Sequence, residues 1–534
     1  MFSPILPESA PFSTTQRAWL NGFFAGVFGA EASSPAPVVA QAPVVEEEEF
    51  PWHDAALPLD ERLELAQGKP FPRVLMAAMA QLDCGSCGYL CQSYAEAIAS
   101  GADKDLCKCS PGGKETKQKL KELVANAPSE TGGAPTADVP ATSKTGVSHS
   151  PEGALYDRFN PFPAPVLEVH PLTRKDSQKD VRFVSFGLKG SGLSYRAGDA
   201  LGVFPENCDE LVEEILAELD ATGQEPTLTP EGVVVPARVA LQKGYVINQT
   251  SDEFLARLSE LAARDDQRES LQLLARNDEE SFLEGRDVLD ILHDFPSARP
   301  REARDVGALI SALSPMRPRL YSISSSPLAH PGEVHLTVGV VRYGRDASPR
   351  ARKGVASTFL SERALHGGKV GVFVQPSHGF APPQNPDVPM IMVGPGTGIA
   401  PFRAFLEERR ELGHGGKNWL FFGDQKRHTD FLYGNELEAF VHTGHLTRLD
   451  LAFSRDQAQK IYVQHKMLEG GADLWRWLEE GGHFYVCGDA SRMAKDVDAA
   501  LHTLIETHGG LSEDSARVYV ATMLKSGRYG RDVY

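Results

Sequence analysis

Five of the seven cysteines in this 534-residue chain fall between Cys84 and Cys109. Closely spaced thiolates separated by glycine and small residues can wrap one soft metal ion or cluster, because glycine lets the backbone turn tightly and aim several sulfurs inward. Sulfurs at this spacing favour iron and sulfide, whereas a zinc knuckle would use paired Cys-x-x-Cys elements, of which the segment has only one. The segment therefore predicts an iron–sulfur site, with zinc as the alternative.

A glycine-rich turn in the C-terminal half is suited to binding a dinucleotide. The loop GPGTGI, which contains Gly396 and Thr397, directly follows the apolar run 390–393, and Pro401 suits the first turn of a following helix. Glycines at such a turn let a pyrophosphate approach backbone amides at the positive end of the helix. Turns of this kind also occur for purely structural reasons, so the surrounding sequence must decide.

A cluster of polar and cationic residues follows a later apolar strand, where the chain reads AFSRDQAQKIYVQH. Two cations, a hydroxyl and a phenol that converge at a strand end suit a dianionic ribose phosphate, the group that distinguishes NADPH from NADH. The alternative is an ordinary solvated face, but the position after the third strand of a parallel sheet favours the phosphate. The residues concerned are Ser454, Arg455, Lys460, Tyr462 and Gln464.

The run RLYSISSSP has the residue types that a flavin needs. Arg319 can pair with its pyrophosphate, Tyr321 can stack on the isoalloxazine ring, and Ser322 would lie within reach of the N5 edge. Further along, four residues that open a helix offer backbone amides to phosphate, and one tyrosine can contact the adenine side. These are Gly354, Val355, Ala356, Ser357 and Tyr343. Any single aromatic residue here is more often a core residue than a cofactor contact.

The hydrophobic pattern indicates which elements must hold these residues. After residue 154, short alternating strands predict an antiparallel barrel, interrupted by a mostly helical insertion at about residues 209–304. After Pro386, apolar strands alternate with helices, which is typical of a doubly wound parallel sheet with helices on both faces. Helices are also predicted at residues 62–66 and 74–82, ahead of the cysteines. The predicted fold class is therefore multidomain: an antiparallel FAD-binding β-barrel with a helical insertion, a doubly wound α/β NADP-binding domain, and a small α-helical iron–sulfur domain at the N-terminus.

Stretches rich in Ala, Pro, Ser and Gly separate these units, because such compositions bury little apolar surface. The predicted boundaries are an N-terminal amphipathic helix at 1–30, a linker at 31–50, the cluster domain at 51–125, a second linker at 126–153, the FAD-binding barrel at 154–385 and the NADP-binding domain at 386–534. The apolar face of the N-terminal helix needs a partner, which is either its own chain or another subunit.

The overall composition excludes several classes of function. A formal net charge of −18 argues against nucleic acid, which is recognised by basic surfaces. No lysine or arginine precedes Arg17, unlike the positive start of a secretory signal, and no run approaches the roughly 18 apolar residues of a membrane span. These features predict a cytoplasmic protein, where clustered cysteines bind metal rather than form disulfides.

From the predicted barrel to the terminus, the sequence resembles the diflavin reductase family, and within it the flavoprotein subunits of NADPH-dependent sulfite reductases. The resemblance rests on the flavin and nucleotide residues above, in the same order, together with YVCGD, which contains Cys487 and, as an NADP contact, Asp489, and with the final DVY. It implies FAD and NADPH as cofactors. It also implies that Tyr534 shields the flavin and moves to admit nicotinamide, and that Ser322, Cys487 and Asp532 line the path of the hydride.

The cysteine segment resembles the small four-iron domain found in several redox complexes, with its CGxCG start, its YAEAIA helix and its C-x-PGG ending. That resemblance implies a 4Fe-4S cluster held by Cys84, Cys87, Cys91 and Cys109. Two details depart from the pattern: one residue fewer separates Cys87 from Cys91, and Cys107 offers a competing fourth sulfur. Diflavin reductases carry a flavodoxin-like domain ahead of the barrel, and nothing ahead of the barrel here has the length or strand pattern for one. The cluster domain would stand in its place.

Together these resemblances imply an electron path from NADPH to FAD, then to the cluster, then to a sulfite reductase haemoprotein. A flavin is needed because NADPH gives two electrons together whereas a cluster takes one. Other acceptors stay open, namely a nitrite reductase, a haem oxygenase or a ferredoxin, as does a diaphorase whose cysteine unit serves redox sensing or docking. The run PFSTTQRAWLNGFFAG resembles the assembly segment of sulfite reductase alpha subunits, which favours oligomerisation through the N-terminal helix.

Overall fold

The computed structural model describes the chain from Phe50 to Tyr534 with gaps. The described residues are 50, 52–53, 57–81, 89, 91–101, 103, 106, 108–109, 111–126, 156–276, 280–345, 348–364, 366–377 and 379–534. The predicted N-terminal helix, nearly all of both linkers, and Cys84, Cys87 and Cys107 lie outside them, so those predictions stay predictions. Every element below belongs to one unit, Pro51–Tyr534.

A small helical unit precedes the barrel in the chain. Its described helices are Leu59–Leu65, Phe71–Ala77, Cys91–Ala99 and Gly113–Ala125. The first two begin earlier than the sequence predicted, because each follows a proline, Pro58 or Pro70, whose fixed φ suits the position just before a helix. Within this unit, Trp52, Leu75, Tyr94 and Leu120 are fully buried.

The described strands number fifteen. They are β1 Phe162–Pro171, β2 Val181–Gly187, β3 Ala200–Val203, β4 Pro226–Leu228, β5 Val234–Pro236, β6 Arg319–Ser322, β7 Glu333–Gly339, β8 Arg342–Arg345, β9 Ser348–Lys353, β10 Lys369–Gln375, β11 Met390–Val393, β12 Asn418–Asp424, β13 Arg448–Phe453, β14 His483–Gly488 and β15 Tyr529–Val533. They divide into an antiparallel sheet, a parallel sheet and two hairpins, β4–β5 and β8–β9.

The antiparallel sheet closes into the barrel that the alternating strands predicted. Its strand order is β6-β3-β10-β1-β2-β7, and every pair is antiparallel. An isolated bridge between Ile323 and Leu336 joins the two end strands. Successive side chains of a strand point to opposite faces, and buried apolar residues such as Val184, Phe186 and Leu201 form the barrel core.

A helical block separates β3 from β6, as predicted, but it differs in extent and content. Its helices are Asp209–Glu218, Ala237–Val239, Asp252–Leu261, Asp265–Ala275, Glu280–Leu283, Val288–Asp294 and Ala303–Ser311, with a π-helical turn at Ala240–Gly244. The block continues to Ser311 rather than to residue 304. It also contains the hairpin β4–β5, which the sequence did not indicate because strands of three residues are too short to show a period.

The C-terminal part is a parallel sheet covered on both faces by helices. The strand order is β13-β12-β11-β14-β15. Along β11, Ile391 and Val393 belong to one core while Met390 and Met392 belong to the other, which confirms a doubly wound sheet. The helices are Ala400–Glu411, Arg427–Asp430, Gly434–His442, Val463–Glu469, Gly471–Glu479, Met493–Gly509 and Glu513–Lys525. Strand β15 was not predicted.

Within the described part of the chain, no helix is long and apolar enough to cross a membrane. The longest of these helices, Met493–Gly509, has 17 residues. A membrane span needs about 20 mostly apolar residues, and this helix carries Lys495 and Asp496 near its start.

Candidate active site

A cleft of about 1340 Å³ opens where the barrel meets the carboxyl edge of the parallel sheet. The end of β6, the glycine turn after β11 and the last strand, β15, converge on it. Ligands of doubly wound sheets bind outside the carboxyl ends of the strands, so a nucleotide is expected here. Of the residues predicted from the sequence, the cleft walls contain Arg319, Tyr321, Ser322, Gly396, Thr397, Asp532 and Tyr534.

Asp532 lies at the centre of a small polar cluster in this cleft. It stands opposite Cys487 in the register of β14 and β15. Ser322 Oγ donates to Asp532 Oδ2 at 2.6 Å, and Cys487 Sγ donates to the same oxygen at 3.5 Å. The structure therefore brings together Ser322 from the barrel, Cys487 from an inner strand of the sheet and Asp532 from its edge strand.

Burial controls the ionisation of this cluster. It raises the pKa of the Asp532 carboxyl, although the hydrogen bonds from Ser322 and Cys487 oppose the rise. Burial, and then the neighbouring Asp532, raise the pKa of the Cys487 thiol well above its ordinary value. The thiol therefore stays protonated at neutral pH, which makes Cys487 a hydrogen-bond donor rather than a nucleophile.

Tyr534 stands at the mouth of the cleft with its backbone anchored. Its N–H donates to the Gly488 carbonyl at 3.0 Å, and its carbonyl accepts from the Ala490 N–H at 3.1 Å. Its phenol oxygen lies 2.9 Å from Thr397 Oγ1 in the glycine turn. Tyr534 is 55% exposed and directly follows Val533, the last residue of β15. That its ring moves to admit nicotinamide stays a prediction.

The glycine turn has a shape that other residues would not allow. Gly396 has a φ of +59°, in the left-handed region that glycine tolerates best. A Cβ on Gly398 would lie 2.1 Å from the Cys487 carbonyl oxygen, because the turn runs directly against the end of β14. The chain continues as a 3₁₀ turn, Gly396–Ile399, and then as the helix Ala400–Glu411. Gly396 and Thr397 line the cleft, so a helix begins directly behind this part of its wall, which suits a pyrophosphate.

Replacing Gly398 with alanine is expected to separate the turn from β14 and weaken the binding of NADP(H). The added Cβ cannot be accommodated by a side-chain shift, since the atom it meets is backbone. Overpacking of this kind costs about 1–3 kcal/mol, which a denaturant titration would detect. The matched control is Gly415→Ala, whose Cβ would come no nearer than 3.9 Å to Asp387 Oδ1; equal losses in the two variants would contradict the argument.

The connection between β1 and β2 reaches across to the parallel sheet, a feature that the sequence analysis missed. Lys179 Nζ pairs with Asp424 Oδ1 at 2.5 Å, and the Asp424 side chain is fully buried. The Arg174 N–H donates to the Thr429 carbonyl at 2.9 Å, and the Ser177 hydroxyl donates to Asp430. No local pattern marks these residues, because they meet only in the folded chain.

Lys179 and Asp424 flank the glycine turn from the side. Lys179 Nζ and Asp424 Oδ2 each lie 3.7 Å from the place where a Cβ of Gly396 would stand. Asp424 Oδ2 is buried and has no hydrogen-bond partner, and burial raises the pKa of this carboxyl despite the nearby ammonium group. An ammonium and an unoccupied acceptor beside the turn fit a phosphate and a ribose hydroxyl of a dinucleotide.

The residues predicted to bind the ribose phosphate lie around the end of β13. The Ser454 N–H donates to the Asp424 carbonyl at 2.9 Å, and Arg455 Nη1 donates to the side chain of Gln178 from the barrel. Lys460 and Tyr462 are exposed, while Gln464 Nε2 donates to Asp496 Oδ2 at 3.1 Å. Arg455 and Lys460 are thus both exposed. Arg455 must exchange Gln178, which lines the cleft, for a phosphate to act as predicted.

Asp489, predicted as an NADP contact, has a structural use in this chain. Its Oδ1 accepts from the N–H groups of Arg492 at 2.7 Å and Met493 at 3.1 Å, at the start of the helix Met493–Gly509. Burial acts to raise its pKa, but these backbone bonds prevail and lower it. Asp489 is not among the residues of the cleft walls, so its predicted contact remains a prediction.

The remaining flavin residues lie beside the cleft rather than in its walls. Gly354 precedes a four-residue helix, Val355–Thr358, which contains Ala356 and Ser357. Ser357 Oγ accepts from the Val341 N–H at 3.0 Å, which holds the start of this helix against the strand connection that lines the cleft. Tyr343 lies in β8 and is 37% exposed.

Only part of the cysteine segment is described. Cys91 is buried at the start of the helix Cys91–Ala99, and Cys109 is partly buried. The Lys108 N–H donates to the Tyr94 hydroxyl at 3.3 Å. This bond joins the residue next to Cys109 to a side chain of the helix that begins at Cys91.

Two parts of the chain match known domain families. Residues 155–359 match the family described as FAD binding domain. Residues 392–499 match the family described as oxidoreductase NAD-binding domain. The two matches fall on the barrel with its insertion and on the parallel sheet.

Three similar proteins share the name sulfite reductase [NADPH] flavoprotein alpha-component. The protein from Bacillus subtilis (strain 168) is 44% identical over 444 residues, which are 82% of this chain and 70% of the relative. The protein from Serratia proteamaculans (strain 568) is 40% identical over 447 residues, 84% of this chain and 72% of the relative. The one from Escherichia coli O9:H4 (strain HS) is 42% identical over 401 residues, 75% of this chain and 65% of the relative.

Proposed function

Because this chain belongs to the family of sulfite reductase [NADPH] flavoprotein alpha-components, we propose that it is an NADPH-dependent flavin oxidoreductase that supplies electrons for sulfite reduction. The observation that carries the proposal is the bond from Ser322 to Asp532, which joins the predicted flavin strand to the sheet edge beside the glycine turn. It brings the residues predicted for flavin and for nicotinamide into one cleft.

Bound FAD supplies the step between two-electron and one-electron chemistry, since it accepts a hydride from NADPH and releases electrons singly. The residues of the chain provide position and polarity. Arg319 and Tyr321 hold the flavin, Ser322 and Asp532 fix the polar edge of the cleft, and Cys487 keeps its proton as a donor to Asp532. Tyr534, whose backbone is anchored and whose side chain is partly exposed, would shield the isoalloxazine ring of bound FAD and give way to nicotinamide.

NADPH is held from two sides in this proposal. The glycine turn and Lys179 bind the pyrophosphate, while Ser454, Arg455, Lys460, Tyr462 and Gln464 receive the 2′-phosphate. Charge-assisted hydrogen bonds to phosphate are about twice as strong as neutral ones. This supports a preference for NADPH over NADH.

Replacing Lys179 with methionine is expected to raise the dissociation constant for NADP+ by about tenfold or more, because a hydrogen bond to a charged group contributes roughly 1.5–3 kcal/mol. Titration calorimetry of the FAD-loaded protein would measure this. The matched control is Lys175→Met, which removes an exposed ammonium from the same connection outside the cleft walls. Equal affinity in both variants would remove Lys179 from the site.

The electron exit is proposed to be a 4Fe-4S cluster held by Cys84, Cys87, Cys91 and Cys109. Support comes from the thiol set, from the buried position of Cys91 and from the contact that brings the neighbour of Cys109 to the helix that begins at Cys91. The small helical unit contributes His53, Gln81 and Pro111 to the walls of the cleft, so it lies beside the proposed flavin site. The final acceptor is the haemoprotein of a sulfite reductase, which the relatives' name as an alpha-component suggests.

The proposal is tested by combining the anaerobically purified protein with a sulfite reductase haemoprotein, NADPH and sulfite. Sulfide formed in proportion to NADPH consumed is the expected result. A nitrite reductase can then be supplied in place of the sulfite reductase haemoprotein. If NADPH reduces the flavin but no sulfide forms, and nitrite is consumed rapidly with the nitrite reductase, nitrite reductase is favoured as the acceptor.

A further inference from the structure

The helix Ala400–Glu411, which follows the glycine turn, buries charged residues that the site described above does not use. Arg403 is 6% exposed and Glu407 is 2% exposed. Burying a charge costs several kcal/mol unless it is paired and hydrogen-bonded. The partners of these two side chains therefore show what the helix is built to hold.

Arg403 reaches from the parallel sheet into the barrel. Its Nη1 donates to the Ser324 carbonyl at 2.6 Å and its Nη2 to Glu407 Oε1 at 2.8 Å. Its Nε pairs with Glu436 at 2.9 Å. The guanidinium thus uses all three of its nitrogens, and one of them binds the chain only two residues after Ser322 in the cleft.

Glu407 and Glu408 bind the same barrel segment at its other end. Glu407 Oε2 accepts from the Ser326 N–H at 2.8 Å, and Glu408 accepts from the Ser326 hydroxyl at 3.0 Å. Ser324, Ser325 and Ser326 have no exposed surface. Residues 324–326 are therefore held at both ends by one turn of the helix, since Arg403 and Glu407 are four residues apart.

We propose that Arg403 and Glu407 form a clamp that sets the distance between flavin and nicotinamide. The inference rests on the proposed function, for which it names positioning residues. On the sheet side, the glycine turn runs without interruption into the helix that carries the clamp. On the barrel side, only Ile323 separates Ser322 from the clamped segment, and Ile323 is itself paired with Leu336. A displacement of the clamp therefore passes directly to both halves of the cleft.

The same neighbourhood contains a set of side chains with the types of a metal site. His330, Glu333 and His335 have ligand atoms within 4.8 Å of one another. Arg403 Nη1 lies 3.4 Å from His335 Nδ1, however, and His330 Nε2 lies 2.9 Å from Glu407 Oε1. Burial, with His330 and Arg403 nearby, lowers the pKa of His335 to about 3. A divalent cation there would face the Arg403 guanidinium, so we assign these side chains to the support of the clamp.

The test replaces Arg403 with methionine or lysine and measures four quantities. They are the rate of flavin reduction by NADPH in a stopped-flow instrument, the dissociation constant for NADP+, the FAD content, and hydrogen exchange in the peptide that contains Ser324–Ser326. Arg403→Met is expected to slow flavin reduction by about 10- to 100-fold, because small misplacements of reacting groups have effects of this size. Exchange at residues 324–326 should accelerate, while FAD content and NADP+ affinity change little. Arg403→Lys keeps the charge but not the fork, so it should restore part of the rate.

The matched control is Arg410→Met, which removes an exposed arginine from the same helix and should alter none of the four quantities. If Arg403→Met does not fold, Glu407→Gln takes its place with the same readouts and a smaller expected loss. The clamp would be overturned if Arg403→Met reduced its flavin at the wild-type rate despite faster hydrogen exchange at residues 324–326. It would also be overturned if the rate, the FAD content and the NADP+ affinity all fell in the same proportion. A wild-type protein whose flavin NADPH does not reduce would instead refute the proposed function.

Discussion

Replacing Asp532 with alanine is expected to slow flavin reduction by NADPH by about 100-fold while leaving bound FAD in place. The substitution removes the one oxygen that accepts both the Ser322 hydroxyl and the Cys487 thiol. Leaving a buried donor without its acceptor costs roughly 1–3 kcal/mol, and each 1.36 kcal/mol is a factor of ten in rate. Stopped-flow absorbance of the flavin gives the rate directly. Asp532→Asn, which keeps the shape and one oxygen, should lose less.

The control for the Asp532 variants distinguishes the loss of hydrogen bonds in the cleft from a loss of stability in β15. Asp498 accepts from Tyr529 at 3.0 Å and from Arg531 at 2.7 Å, so it supports the same strand without entering the cleft walls. Asp498→Ala should therefore loosen β15 and spare the rate. Equal slowing in both variants would show that Asp532 matters only for the strand.

Asp532 also makes a specific contribution to the dependence of stability on pH. Because burial raises its pKa, the unfolded chain loses this proton at a lower pH than the folded chain does. The stabilisation is fully present below the ordinary pKa of an aspartate and is lost as the pH rises through the folded-state pKa. The unfolding free energy of the wild type minus that of Asp532→Asn should therefore fall as the pH rises from the ordinary pKa of an aspartate to the folded-state pKa. Denaturant titrations at a series of pH values would measure it, and a difference that rises with pH would contradict the assignment.

Replacing both Cys84 and Cys87 with serine is expected to abolish electron transfer to the haemoprotein while ferricyanide is still reduced. Two of the four proposed thiolates would be lost, and a cluster with oxygen in their place is held poorly because iron and sulfide are matched to thiolate ligands. Iron and acid-labile sulfide should fall to background, and the flavin spectrum should remain. Haem reduction followed at its absorption band is the measurement.

The control for the cysteine pair is Cys208→Ser, a half-buried thiol that donates to Glu210 at 3.0 Å, far along the chain from the cluster segment. It should keep full transfer. Retained transfer in the double variant would mean that electrons leave the flavin directly. If the wild-type protein contained zinc instead of iron, the cysteine unit would have a structural role rather than a role in electron transfer.

Local residue patterns predicted the glycine turn, the apolar strands and the run RLYSISSSP, because each is a contiguous segment whose period or composition reflects its own environment. The contacts that complete the site were not predictable in this way. Lys179 meets Asp424 across 245 positions of the chain, and Ser322 meets Asp532 across 210. Strand β15, with the sequence YGRDV, has a glycine and two charges, and it is a strand only because β14 offers it an edge.

The family resemblance supplied the predicted roles of Tyr534 and Asp532, which composition alone did not indicate. It did not supply Arg403 or Lys179, whose roles depend on which surfaces the barrel and the sheet present to each other. The predicted role of Asp489 is not visible in its present bonds, which serve the start of a helix. Three of the five clustered cysteines lie outside the described residues, so the cluster continues to rest on sequence and on the bond between Lys108 and Tyr94.

The bridge from the β1–β2 connection to the sheet has a consequence for chimeric enzymes. A hybrid made by exchanging residues 386–534 between relatives, with the aim of changing coenzyme preference, would cut this chain where it passes from barrel to sheet. Arg174, Ser177 and Lys179 would then meet a foreign surface, because their partners at positions 424, 429 and 430 travel with the exchanged piece. A functional graft must therefore carry the β1–β2 connection as well, so the transferable module is discontinuous in sequence.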